Sequence, residues 1–208
     1  MSKLVPPPSK PTRKTARREA LLDAAEKLTI VTGGAFEMSD FARAAHVSAG
    51  LAYHYFGSKD GLIEAVIDRF YQRYVAVLDQ PTDPDITWPV RERMRLEDVI
   101  AFVYADPFAA TVFSTLAHKR VTQNEWSIQQ DMVGKAARNI RSGQRRGHIP
   151  TGIDSELAGA AIIGGVRAAM ITAMRMSPRP APDKVADQLW LVIEATVGMS
   201  GRDTGKSR

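Results

Sequence analysis

The sequence contains no cysteine among its 208 residues, so it has neither a disulfide framework nor a thiolate zinc site. Its four histidines are scattered and show no His-x-x-x-His spacing: His46, His54, His118 and His148. A glycine loop of the phosphate-binding kind and a Gly-x-Ser-x-Gly motif are also missing. We therefore expect no catalytic residue, no metal and no cofactor.

Sustained alternation of apolar and polar residues is also absent, so a β-sheet is not supported and we expect an all-α fold. The N-terminus lacks a signal-peptide h-region, and we expect a cytoplasmic protein. One apolar run, residues 157–174, has the length of a membrane span. Arg167 lies inside that run and would cost about 2.5–3.5 kcal/mol on membrane-insertion scales. We therefore expect a buried helix of a helical bundle.

The charge is mildly basic, with a net value of +5 and a pI of about 9.6. Every charged side chain from Met1 to Arg18 is positive. We interpret residues 1–12 as a disordered basic arm, which either is a solvated tail or contacts a polyanion. Arg13, Lys14 and Arg17 lie closer to the first predicted helix and are better placed for such a contact.

The first half of the chain contains the pattern of a helix-turn-helix. Helical spacing begins near Thr15, and Gly33-Gly34 ends that helix. Its predicted inner face consists of Leu21, Ala24, Ala25, Leu28 and Val31. A short helix follows from Met38 to Ala45, then a turn at His46-Val47, and then a helix from Ser48 to Tyr55 with Ser48 as its N-cap.

The second half predicts helices only, at about 91–104, 107–117, 125–146, 155–176 and 183–199. Three prolines between Gln80 and Pro89 indicate a break before them. We predict a disordered arm (1–12), a helix-turn-helix DNA-binding domain of three helices (13–58), a connecting helix (59–80), a larger helical domain (81–200) and a disordered tail (201–208).

The second helix of the pair is suited to the DNA major groove. Ala49 and Gly50 are small and allow a close approach to the base edges, while Tyr53 and His54 can donate hydrogen bonds to phosphate. Ser48 and Lys59 stand at helix N-termini, where anions are favoured. Tyr55 and Phe56 are interpreted as core aromatics.

The run from Phe41 to Leu62 resembles the DNA-binding signature of the tetracycline-repressor (TetR) family, roughly I-A-x-x-A-G-V-S-x-G-x-L-Y-x-Y-F-x-x-K-E-x-L, and the match extends from Leu21 to Val66. The resemblance implies phosphate contacts by Ser48, Tyr53, His54 and Lys59, and base proximity for Ala49, Gly50 and Leu51.

The sequence departs from the pattern at three positions. His46 replaces the turn glycine, Ala52 replaces a larger aliphatic residue, and Glu37 replaces the Ser or Thr that opens the first helix. Ser39 is expected to take over the contact at that position. With so few polar groups on the second helix, base discrimination falls to Ser39, Arg43, the basic arm or DNA shape.

The resemblance also implies that the larger domain (81–200) is a ligand-binding and dimerisation domain. The homodimer would be formed by the last two long helices, about 155–176 and 183–199. The first of these helices would contribute a face of small or smooth side chains: Leu157, Ala160, Ala161, Gly164, Ala168 and Ile171. The second would contribute large side chains: Leu189, Trp190, Val192, Ile193 and Val197. Aromatic and methionine side chains are candidates for a ligand pocket, although ordinary core is the preferred interpretation of each: Phe102, Phe108, Phe113, Trp126, Met170 and Met174. Arg167 needs a partner, either a carboxylate such as Glu194 or Asp98, or an anionic ligand.

The function that we expect is a homodimeric transcriptional repressor, bound to a double-stranded DNA operator and released from it by a small, largely apolar molecule. The first alternative is an architectural DNA-binding protein without a ligand. The second is an enzyme whose site is built from long-range contacts.

Overall fold

The computed structural model describes residues 12–83, 85–114, 116 and 123–199. Within these ranges the chain forms nine α-helices and no β-strand. Their bounds are α1 Arg13–Thr32, α2 Met38–Ala44, α3 Ala49–Phe56, α4 Lys59–Leu78, α5 Trp88–Ala105, α6 Pro107–Ser114, α7 Gln123–Arg145, α8 Ser155–Arg175 and α9 Pro182–Thr196. The prediction of an all-α fold is confirmed.

The chain divides into two compact units inside α4, the first ending at Val66 and the second beginning at Ile67. The division falls within the predicted connecting helix, residues 59–80. Residues 1–11 of the predicted basic arm and all of the predicted tail, 201–208, lie outside the described residues. Arg13, Lys14 and Arg17 belong to the first turns of α1 and are exposed.

The first unit encloses a small core between α1, α2, α3 and the start of α4. Leu22, Phe41 and Ala52 are almost wholly buried, and the rings of Phe41 and Phe56 meet edge to face with centroids 5.8 Å apart. This geometry fixes α3 against α2, because Phe56 ends the one helix and Phe41 lies in the other.

The predicted inner face of α1 is wrong at Val31, which exposes 84% of its surface. The buried face passes instead through Leu21, Leu22, Ala25 and Thr29. The hydroxyl of Thr29 donates to the carbonyl of Ala25 at 2.7 Å, so a polar residue is satisfied inside the core. The buried face of α1 therefore includes the polar residue Thr29, and Val31 lies on the opposite, exposed side of the helix.

In the second unit α8 packs against α6, α7 and α9, and α5 packs against α6 and α9. An aromatic cluster gathers around Phe70, whose ring centroid lies 5.4–6.3 Å from those of five neighbours: Tyr71, Tyr74, Phe102, Phe108 and Phe113. The carboxylate of Asp106 joins α4 to this core, since it accepts from Arg73 Nη2 at 2.8 Å.

Helix α8 is long and apolar enough, by length and composition, to cross a membrane, and a third of its apolar window is buried within the chain. The expectation of a buried helix is therefore correct for one face only. The opposite face points outward, and Leu157 exposes 73% of its surface. The residues exposed between Leu157 and Ala168 are otherwise small: Ala160, Ala161, Gly165 and Ala168.

Helix α9 also has an apolar outward face, which matches the predicted one only in part. Leu189, Ile193 and Val197 are buried within their own chain and are not available to a partner. Val192, which was predicted, and Leu191, which was not, point outward and expose 56% and 58% of their surfaces. The sequence shows apolar residues all round this helix, and only the packing of α9 on α5 and α8 decides which of them face inward.

Candidate nucleic-acid interface and interior cavities

The turn between α2 and α3 places two short helices side by side, as predicted. Ser48 is the N-cap of α3, and its hydroxyl accepts the backbone N–H of Leu51 at 3.2 Å. His46 has a φ of 53°, in the left-handed region that glycine adopts most easily. The chain therefore makes this tight turn with His46 at the position where the TetR signature has glycine.

One face of α3 is buried and the other is open. Ala52 is wholly buried and Phe56 nearly so, whereas Tyr53 exposes 51% of its surface. Ala49, Gly50 and His54 are exposed as well, and a Cβ added at Gly50 would meet nothing within 4 Å. The open face therefore presents two donor side chains, from Tyr53 and His54, beside a stretch with almost no side chain.

Lys59 begins α4 beside this face. Its Nζ lies 5.4 Å from the centroid of the Phe36 ring and 4.0 Å from Glu37 Oε1. The ring and the carboxylate hold the ammonium, while 31% of its side chain remains accessible. Lys59 can therefore reach an anion only in competition with Glu37.

Helix α2 contributes a second group of exposed polar side chains. Ser39 is exposed, and Arg43 exposes 79% of its side chain while Nη2 donates to Asp40 Oδ1 at 3.2 Å. Asp40 Oδ2 accepts the backbone N–H of Glu37 at 2.9 Å and so caps the start of α2. Arg43 is thus an exposed cation on α2, and one surface carboxylate, that of Asp40, holds its guanidinium.

Two residues that support the end of α3 were not predicted from the sequence. Gly61, in the first turn of α4, has no room for a side chain, because a Cβ there would lie 2.3 Å from the carbonyl oxygen of Phe56. The guanidinium of Arg18 lies 5.9 Å from the centroid of the Phe56 ring. Both contacts depend on how α4 and α1 approach the end of α3, which no local pattern encodes.

Comparisons with known proteins agree with this geometry. Residues 21–66 match the family of bacterial regulatory proteins called the tetR family. The HTH-type transcriptional regulator BetI of Rhizobium meliloti (strain 1021) is 36% identical over 132 residues, which are 61% of either chain. A TetR-like transcriptional regulator from Rhodococcus sp. RHA1 is 25% identical, with a TM-score of 0.67 over 93% of this chain and 100% of that one.

Residues 21–66 are thus similar to the tetR family, and the fold is that of a TetR-like regulator. The chain spans about three fifths of the length of the curated relative that it matches, BetI. The fatty acid degradation regulator FadR from Bacillus halodurans has the same fold: it is 16% identical, with a TM-score of 0.71 over 90% of this chain and 96% of that one.

The ligand candidates named from the sequence do not line a single cavity of the second unit, although Phe102, Phe108 and Phe113 share the aromatic cluster around Phe70. Phe108, Met170 and Met174 are buried, whereas Trp126 exposes 52% of its surface. Phe102 is half-buried, with its ring centroid 5.8 Å from that of Phe70 and 6.3 Å from that of Tyr74. Phe113 and Arg167 line a cavity together.

Three cavities of the second unit adjoin one another along α8, because Ile163 lines all of them. The inner chamber, about 100 Å³, is mostly apolar and includes Tyr74, Trp88, Leu96 and Val166 in its wall. The narrow chamber, about 30 Å³, shares Tyr74, Ile163 and Val166 with it and contains Arg167. The third is an outer cavity of about 310 Å³ with polar side chains at its rim.

Arg167 has a different neighbour from those predicted. Its guanidinium is hydrogen-bonded to the hydroxyl of Tyr71, and not paired with Glu194 or Asp98. Tyr71 is in turn hydrogen-bonded to Glu125. Burial, the negative charge of Glu125 and that hydrogen bond raise the pKa of Tyr71, while Arg167 opposes the rise. The tyrosine therefore stays neutral between a cation and an anion.

Proposed function

We propose that the chain is a homodimeric repressor that binds an operator through α3 and releases it when a small, largely apolar molecule enters the second unit. The observation that carries the proposal is the open face of α3, which combines a bare stretch at Ala49 and Gly50 with phosphate-binding groups at its edges. Such a face can approach base edges closely while its flanks hold the DNA backbone.

The proposed phosphate contacts are those of Ser48, Tyr53, His54 and Lys59. The hydroxyl of Tyr53 and the imidazole of His54 are exposed on α3, and Lys59 follows at the N-terminus of α4. Helix N-termini favour phosphate through their free N–H groups and their dipole. These contacts position the helix, and the base-reading role falls to Ser39 and Arg43 on α2 or to the shape of the DNA.

A second copy of the chain is the proposed cover for the outward faces of α8 and α9. Leu157, Leu191 and Val192 each expose more than half of their surface, on two helices that pack against each other. Cβ atoms added at Gly164 and Gly165 would meet nothing within 4 Å, so another helix has room to approach α8 closely. A two-fold dimer would also pair two recognition helices on two half-sites.

The adjoining chambers along α8 are the proposed effector site. Pockets for small molecules are mostly apolar with a few polar anchors, and the inner chamber has this character. SmeT, whose fold this chain shares at 17% identity and a TM-score of 0.71, over 86% of this chain and 90% of that one, has a structure described as a complex with triclosan. A protein of this fold thus binds triclosan, which supports a small-molecule effector here.

The test of DNA binding begins with selection of bound genomic fragments, which supplies an operator. Tyr53→Phe combined with Lys59→Ala should weaken binding to it at least tenfold, and should reduce the slope of log K against log salt by about 1, since one cationic contact is lost. Lys27→Ala is the matched control, because Lys27 is an exposed cation of α1. Unchanged binding by the double variant would overturn the proposed interface.

The test of the dimer is sedimentation equilibrium. The wild type should have twice the chain mass of 22.8 kDa. Leu157→Asp places a charge on the outward face of α8 and should yield monomers. Val90→Asp is the control, since Val90 on α5 is similarly exposed, at 52%. A wild type that sediments as a monomer at micromolar concentration would contradict the dimer.

The alternative without an effector, an architectural DNA-binding protein, makes a different prediction. Its affinity for DNA would not respond to any small molecule, and it would protect long stretches of DNA without sequence preference. A mobility-shift titration on the selected operator and on an unrelated fragment of equal length distinguishes the two, because a repressor prefers its operator by a factor of about 10³ or more.

A further inference from the structure

We propose that the inner chamber binds a small uncharged molecule with an acceptor oxygen, such as a ketone, an ester or an ether, and that the indole N–H of Trp88 donates to that oxygen. The inference rests on the proposed effector site. Trp88 begins α5, and its side chain lines the chamber among apolar neighbours that include Leu96 and Val166. A molecule of this kind would place its oxygen at the indole and its apolar body against the rest of the wall.

The indole of Trp88 is a buried donor without an acceptor. Only 3% of the residue is exposed, and Nε1 has no hydrogen-bond partner in the part of the chain that the structure describes. Buried N–H groups of native proteins are nearly always paired, because a donor that leaves water without finding an acceptor loses its hydration without compensation. A ligand oxygen in the chamber would supply the acceptor.

Three contacts hold Trp88 in place. Its backbone N–H donates to His148 Nδ1 at 3.3 Å, its ring centroid lies 6.4 Å from that of Trp190, and its Cδ1 would lie 3.0 Å from a Cβ added at Gly143. The carbonyl of Gly143 already accepts the backbone N–H groups of His148 and Ile149, at 2.9 and 3.3 Å. The indole is therefore pre-organised, and this neighbouring carbonyl is already occupied.

The charged groups of the chambers balance one another. Glu92 and Arg95 line the inner chamber, and Arg95 Nη1 lies 2.5 Å from Glu92 Oε2. Arg167 and Glu125 line the narrow chamber, and both are hydrogen-bonded to Tyr71. Each cation thus has an anion close by, so a charged ligand would lose its hydration without gaining an uncompensated group of opposite sign. An uncharged ligand is therefore favoured.

The volumes of the cavities set the size of the ligand. The inner chamber, about 100 Å³, is smaller than the engineered cavity of about 150 Å³ that holds benzene. A ring of about five or six carbons would therefore fill it after a small relaxation of its walls. Leu78 and Ile163 line both this chamber and the outer cavity of about 310 Å³, so a longer molecule would extend in that direction.

The test uses two pairs of probes, cyclohexanone with methylenecyclohexane and cyclopentanone with methylenecyclopentane. In each pair a methylene group replaces the oxygen, so the shape is nearly the same and the acceptor is lost. The full chain, without DNA, is titrated with each probe and followed through the nitrogen–proton NMR signals of its three indole groups. The ketones should move the Trp88 indole proton downfield, because it gains a hydrogen bond, whereas the hydrocarbons should not.

Trp88→Phe identifies that signal and removes the donor. The titrations give the ratio of the dissociation constant of the hydrocarbon to that of the ketone, and this ratio should fall about fivefold from wild type to variant, the size of one neutral hydrogen bond. Comparing the two ratios cancels the different hydration of the probes. Trp190→Phe is the matched control, since Trp190 contacts Trp88 but does not line the chamber.

If Trp88→Phe fails to fold, the wild-type signal decides, because Trp126→Phe and Trp190→Phe assign it by elimination. An unmoved Trp88 signal, equal ratios in wild type and Trp88→Phe, or binding of no probe would overturn the inference while leaving DNA binding and dimerisation intact. A hydrocarbon that releases the operator while the ketones leave the Trp88 signal unmoved would overturn the inference alone. A ketone that binds at Trp88 but fails to release the operator would support the inference and count against the effector role.

Discussion

Glu37 offers a sharp test of the DNA-binding surface, because its removal should strengthen binding. Its carboxylate is 81% exposed at the N-terminus of α2 and lies 4.0 Å from Lys59 Nζ. In the complex, Lys59 must exchange this carboxylate for a phosphate, and Glu37 itself would repel the DNA backbone. Glu37→Gln removes both penalties and keeps the backbone N–H that Asp40 accepts.

The size of the effect follows from the geometry. Two unit charges 4 Å apart interact by about 1 kcal/mol in bulk water, and measured surface pairs fall at about 0.2–1 kcal/mol. Adding the lost repulsion between Glu37 and phosphate, we expect a gain of about 1 kcal/mol, or about fivefold tighter binding at low salt. The gain should shrink as the salt concentration rises, because salt screens both the attraction between Glu37 and Lys59 and the repulsion between Glu37 and phosphate.

The assay is fluorescence anisotropy on the selected operator, titrated at several salt concentrations between about 50 and 300 mM, the range over which phosphate contacts lose most of their contribution. Glu64→Gln is the matched control: it removes one exposed carboxylate from the same unit, on α4. Glu37→Gln should bind more tightly than this control. Equal affinity of the two variants, or weaker binding by Glu37→Gln, would refute the proposed role of Lys59.

Two further predictions concern stability. Gly61→Ala should destabilise the first unit by about 2 kcal/mol or more in denaturant unfolding, because its Cβ would lie 2.3 Å from a backbone oxygen. Gly50→Ala, in open space, should raise stability by up to about 1 kcal/mol. If both substitutions were equally tolerated, the close approach at Gly61 would be wrong. Burial raises the pKa of Tyr74 above its usual 10.0, so stability should be full below pH 10 and fall as the pH rises further. Tyr74→Phe should lessen that alkaline loss, and an identical pH profile of unfolding would contradict the burial effect.

The helix-turn-helix could be predicted in detail because its signals are local. Ser48 as a cap, His46 in the turn and the buried Ala52 and Phe56 all follow from spacing along a few residues. The family signature covers this same segment, and the structure places its residues on the expected faces.

The second unit could be predicted only as a set of helices. The buried faces of α8 and α9 depend on which neighbours they meet, and helices that are apolar on most sides give no local indication of this. Arg167 illustrates the limit: its position inside an apolar run showed that it needs a partner, but Tyr71 lies 96 residues away in sequence (167 − 71). Gly61 was likewise invisible, because the oxygen that excludes its side chain belongs to the end of another helix.

The central claim, that the open face of α3 lies against DNA, is tested most directly by amide hydrogen exchange of the chain with and without its operator. At saturating DNA, exchange should slow for residues 48–59, which hold the cap of α3, the whole of that helix and the start of α4. Exchange in these residues that stays unchanged while the complex is fully formed would show that DNA binds elsewhere and would contradict the account.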